Sequence, residues 1–138
     1  MIPVASHDLA APLTDRALFD LLQPLRRHLH RHPEIGFELH ETSSHVRAWL
    51  EERGFDVVSP LAKTGFYVEI EGAKPGPIVG YRADMDALPI QDAKDIEYAS
   101  AIPGRAHLCG HDAHTAIACG VALLLRERRD DLHGTVRV

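Results

Sequence analysis

The stretch at residues 77–89, "PIVGYRADMDALP", decides the fold. It opens with a nearly continuous apolar run, Ile78 to Tyr81, and turns polar at Arg82. That pattern predicts a strand covered on both faces, as in the parallel sheets of α/β domains. After an irregular connection over residues 84–108, the run from Ala113 to about Arg126 is rich in Ala, Leu, Ile and Val around nearly its whole circumference. Such a helix needs cover from a sheet or a partner. A buried strand feeding this helix, with "GTVRV" (134–138) opening another strand, implies an α/β layered domain.

Outward from this unit, Leu18, Leu21, Leu22, Leu25 and Leu29 recur at helical spacing, with Thr14 or Asp15 as cap and Pro33 as terminator. A second helix is expected from about Glu41 to Arg53, with Gly54 as a left-handed C-terminal cap. "FDVVS" (55–59) reads as a short strand. In "FYVEIEG" (66–72), Phe66, Val68 and Ile70 alternate with Tyr67, Glu69 and Glu71, the mark of a strand with one face covered. Residues 1–13 read as a frayed arm and 14–138 as the domain. A strand that starts at Gly134 and stops at Val138 is expected to lie at an edge without its neighbours, so the chain reads as a fragment of a longer protein.

The 138 residues, 45% hydrophobic and 25% charged, suit one globular domain. Twenty acidic and 15 basic residues give a formal charge of -5 with no block of one sign, which argues against nucleic acid or an anionic membrane as partner and favours small molecules. No stretch approaches the roughly 18 apolar residues of a spanning helix, and the amino terminus lacks the features of a secretion signal. A cytoplasmic location is the expectation, and Cys109 and Cys119 are poor disulfide candidates.

Asp84 and Asp86 stand two apart just after the predicted strand, so both carboxylates project to one side, where α/β sheets place their ligands. Cys109 and His111 repeat that spacing around Gly110, whose missing side chain leaves room for a ligand. Asp112 is positioned to cap a helix starting at Ala113, and His114 falls in the first turn, where the helix dipole favours a neutral ring. Thiolate, imidazole and carboxylate together suit zinc or a similar divalent ion. On residue types alone, a Cys/His nucleophile pair and plain loop polarity with capping stay open beside the metal site. Cys119 reads as a small apolar core residue, His107 as loop polarity, and His28, His30 and His32 as exposed cations at the carboxyl end of the first helix.

The motifs "LHRHPEIGFELHETS" (29–43), "KTGFYVEI" (63–70), "YRADMDALPIQD" (81–92), "HLCGHDAHTA" (107–116) and "GTVRV", in this order, resemble the metal-dependent amidohydrolases related to aminoacylase, hippurate hydrolase and the plant indole-acetyl-amino-acid hydrolases, and more distantly carboxypeptidase G. The resemblance implies the amino-terminal part of a layered zinc-peptidase-like catalytic domain, an incomplete sheet flanked by helices. It implies Cys109 and His111 as ligands in a two-metal site, zinc or manganese first and nickel or cobalt next. Asp86 would be the site-orienting, catalytic aspartate, with Asp84 and His114 in supporting positions. The implied reaction is hydrolysis of N-acyl or N-aroyl amino acids by a metal-activated hydroxide, in a protein that is a dimer or tetramer at full length. In similar proteins, paired glutamates, further histidine ligands and a lid domain follow the strand resembling "GTVRV". The 138-residue chain is therefore expected to be nearly inactive, or else a non-catalytic metal-binding or interaction remnant.

Overall fold

The computed structural model describes residues 12–138. The elements run α1 (Asp15–Arg31), α2 (His40–Glu51), β1 (Val57–Leu61), β2 (Gly65–Glu71), β3 (Lys74–Gly80), α3 (His111–Glu127) and β4 (His133–Arg137). The sheet order is β1-β2-β4-β3. β2 pairs antiparallel with β1 and with β4, whereas β3 runs parallel to β4, so β3, α3 and β4 form a βαβ unit. The α/β layered architecture expected from the sequence is the one observed. Most of the 1–13 arm lies outside the described residues. Leu13, however, packs against the core, and its N–H donates to Glu127 Oε1 at 2.9 Å.

Local chemistry accounts for the elements. Thr14 caps α1 by accepting from the Ala17 N–H at 3.2 Å, and α1 accommodates Pro24 in its interior. Leu25 and Leu29 face the core, where they meet Val46, Trp49 and Leu50 of α2. Gly54 adopts φ +77° after α2, as the sequence requires of a left-handed cap. β2 alternates as read: Val68 and Ile70 are buried under the helices, and Glu69 and Glu71 are exposed. Ala116, Cys119, Ala122 and Leu123 of α3 complete the core.

Two expectations are corrected. β3 is not buried on both faces: every residue in it is exposed, with Ile78 at 62% and Val79 at 52%. It is the outer strand next to β4, while the helices pack over β2 and, in the case of α2, over β1. β4, in contrast, is an inner strand with a neighbour on each side. Gly134 allows this, because its φ is +79° and a Cβ there would meet the Pro77 carbonyl oxygen at 2.0 Å.

Candidate functional site

Residues 81–110 cross from β3 to α3 with no regular element, and a few backbone bonds fix their path. The Ala87 N–H donates to the Glu34 carbonyl at 2.7 Å, and Leu88 and Ala106 exchange bonds at 3.0 Å each. The Glu34 carboxylate in turn accepts from the N–H groups of Glu41 and Thr42, the cap that Leu39 cannot give α2. The segment carrying Asp84 and Asp86 is thereby tied to the start of α2.

α3 begins at His111, two residues earlier than expected. Gly110 occupies the N-cap position in the left-handed region at φ +89°, and no side chain caps the helix. The shift places His111 in the first turn, facing the aspartates. Its Nδ1 lies 2.9 Å from the Asp86 carbonyl and 3.0 Å from Asp86 Oδ1. Both partners are acceptors, so Nδ1 carries a proton and donates, and Nε2 is the ring atom left to face the other side of the loop. His111 Nε2 faces Asp84 Oδ2 at 3.9 Å, and Asp84 Oδ1 is 3.3 Å from the exposed guanidinium of Arg82. An imidazole nitrogen opposed to a carboxylate across such a gap is a pair of groups of the kind that ligates a divalent cation. Thr115, one turn along α3, has a single hydroxyl proton that the Asp84 carbonyl (3.1 Å) and the His111 carbonyl (2.9 Å) share, placing its Oγ1 between the loop and the helix.

The structure brings Asp84, Asp86 and His111 together, and the exposed His114 lies beside them with ring centroids 5.5 Å apart. Cys109 is a free, exposed thiol, whereas Cys119 is buried, as read from the sequence. Among the described residues, no three His, Cys, Asp or Glu side chains converge closely enough to hold one metal ion. Next to Asp84 and Asp86 lies an open, mostly apolar cleft of about 920 Å³, with Phe37, Leu61, Tyr67 and Tyr81 among its lining.

Behind this face the sequence reading needs three corrections. Asp112 is not a cap: with α3 starting at His111, its fully buried carboxylate points into the protein, where Oδ2 accepts from Arg26 Nε (2.8 Å) and His30 Nδ1 (2.6 Å). His30 is accordingly buried at 2% exposure and is not a solvated cation of α1. Its Nε2 faces Asp92 Oδ2 at 3.6 Å, and Asp92 accepts from Lys94 Nζ and the Ser100 N–H, which hold its carboxyl well below the usual range. His107 is buried too, with both ring nitrogens unpartnered, and burial keeps its imidazole below its ordinary pKa, that is, neutral. Only His28 and His32 of the three helix-end histidines retain contact with solvent, and His28 stacks on His45 with centroids 3.7 Å apart. The sequence reading also missed Thr115, although its i+4 spacing from His111 puts both on one helix face.

Residues 80–138 match the model of Peptidase family M20/M25/M40. N-acetylcysteine deacetylase of Bacillus subtilis is 46% identical over 126 residues, 91% of this chain and 33% of that protein. IAA-amino acid hydrolase ILR1-like 5 of Arabidopsis thaliana is 46% identical over 118 residues, 86% of this chain and 27% of that protein. Among solved structures, the YXEP protein of Bacillus subtilis, described as a dinuclear metal binding peptidase from the M20 family, superposes with a TM-score of 0.86 at 46% identity, covering 90% of this chain and 35% of its own. The chain thus spans about a third of the length of the curated relatives it matches. Motif order, fold and family model agree, and the chain is similar, over the residues matched, to part of the proteins of Peptidase family M20/M25/M40.

Proposed function

We propose that this chain carries part of the active site of a metal-dependent amidohydrolase acting on N-acyl or N-aroyl amino acids, hippurate included. Cys109 and His111 are its metal ligands, Asp86 is the orienting carboxylate, and Asp84 and His114 border the site. The observation that carries the reading is the His111 ring, whose Nδ1–H is held by Asp86 so that Nε2 faces Asp84. Held by Cys109 and His111, a divalent ion such as zinc or manganese would lower the pKa of a water and polarise the scissile carbonyl.

The chain's own residues prepare that chemistry. Asp86 keeps the proton on Nδ1 of His111, and Thr115 fixes the distance between the Asp84 loop and α3. The apolar cleft beside the aspartates suits an acyl or aroyl group, and Arg82 at its rim suits a substrate carboxylate. The deacetylase and hydrolase activities named for the relatives support this substrate class. Two protein ligands half fill a tetrahedral shell, so the 138-residue chain taken alone binds metal weakly and turns over slowly.

The test is equilibrium zinc binding together with glycine release from hippurate. Cys109→Ser and His111→Ala should each weaken binding by at least about 10-fold. Unchanged affinity in both variants would overturn the ligand assignment. Hydrolysis by the chain alone at the rate of an ordinary enzyme would overturn the view that further groups are required.

A further inference from the structure

We propose that Arg26 and His30 of α1 are positioning residues for the metal site, acting through Asp112 to fix the turn of α3 that carries His111. The inference rests on the reading that Cys109 and His111 hold metal, but its geometry stands independently.

The start of a helix is its least secured part, because its first four N–H groups have no partner within the helix. Here the N-cap is Gly110, with no capping side chain. The functional end of α3 therefore depends on contacts from outside the helix. On the cleft side it has Thr115 and Asp86. On the opposite side it has Asp112, the very next residue, whose side chain is 0% exposed and is gripped by Arg26 Nε and His30 Nδ1. The grip is itself braced. Tyr98 meets the His30 ring edge-on at 5.6 Å and lies with its ring centroid 5.3 Å from the Arg26 guanidinium, and Asp92 Oδ2 stands 3.6 Å from His30 Nε2, too far for a hydrogen bond. α1 thus grips the Asp112 carboxylate of α3, and the 92–100 loop packs against the two side chains that do so.

Stability alone is a poor reason for this apparatus, since buried ion pairs are often replaceable by apolar groups at no cost in stability. Its specific product is register: with Asp112 locked inward, His111 points at the aspartates. Ligand geometry tolerates about 0.5 Å of error, and loss of an outer partner typically weakens metal binding 10- to 100-fold.

The experiment uses the 138-residue chain and two readouts. In long-range ¹H–¹⁵N spectra without metal, the wild-type His111 ring should show a single Nδ1–H tautomer. Cobalt(II) titration should give a thiolate charge-transfer band that Cys109→Ser removes. In His30→Leu we expect the His111 tautomers to average and cobalt affinity to fall about 10-fold. His30→Asn, whose amide N–H can stand in for Nδ1–H, should keep the single tautomer and bind within about threefold of wild type. A His30→Leu chain that keeps both the tautomer and the affinity overturns the proposal. Absence of a Cys109-dependent band in the wild type would sink the metal reading while the tautomer comparison still decides the positioning role. If His30→Leu does not fold, Arg26→Gln, altered at a side chain about one third exposed, carries the same comparison.

Discussion

Replacing Asp112 by Ala is expected to be among the most damaging single changes in this protein. The substitution leaves His30 Nδ1, in a residue 2% exposed, without an acceptor, and strips Arg26 of its counter-charge. An unsatisfied buried donor costs about 1–3 kcal/mol, and breaking a buried pair from one side costs about 3–5 kcal/mol. Arg26 is partly exposed and can turn to water, which puts the sum near 3–4 kcal/mol. Against a total stability of about 5–15 kcal/mol, that is a large fraction, equivalent to a fall in Tm on the order of 10 °C. Asp112→Asn keeps the shape and one acceptor oxygen, so about 1–2 kcal/mol is expected. Trp49 is the single tryptophan and sits in the core, so its fluorescence reports urea unfolding directly. A loss below about 1 kcal/mol for Asp112→Ala, or equal losses for Ala and Asn, would refute the reasoning.

Stability should also fall in mild acid. Burial, then the charges of His45 and His32, lower the His28 pKa to about 4, and burial lowers that of His45 as well. Between about 6.5 and 4 the unfolded chain binds protons that the folded chain refuses, so the stabilisation is complete above pH 6.5 and drains away as pH falls toward 4. Because water reaches both rings, the loss is about 1–2 kcal/mol rather than the full linkage value. Urea midpoints across this range measure it, and a flat profile, or one unchanged in His28→Phe, would contradict it. Thiol chemistry should separate the two cysteines: Cys109 is exposed, whereas burial pushes the Cys119 thiol up to about 12. A disulfide reagent should therefore label one thiol per native chain and a second only after unfolding, with Cys109→Ser removing the native label. Native labelling of Cys119 would contradict the packing described.

What could be read from the sequence was local. Thr14 as cap, the alternation of Phe66 to Glu71 and the glycine after α2 each follow from residue type and spacing, and each is present in the structure. The apolar run Ile78 to Tyr81 was misread because residue type records what a strand would tolerate, and only topology decides what covers it. His30 and Asp112 were misread for a related reason. Their partner lies 82 positions away along the chain, so neither spacing nor helix polarity betrays the pair. The placement of α3 by two residues then turned an expected cap into a buried acceptor. Of the candidate site, Asp84, Asp86 and His111 could be identified because two short motifs flank one loop. Thr115, which joins them, carries no motif of its own.

The adjacency of His111 and Asp112 has a consequence for how the site would be mapped by mutation. The two side chains leave the helix in different directions, one toward Asp84 and Asp86 and one into the interior. A screen scored on lost function alone would rank them together as neighbouring active-site residues. On the proposed reading, one would have failed as a ligand and the other as the pin that holds the ligand's turn in place.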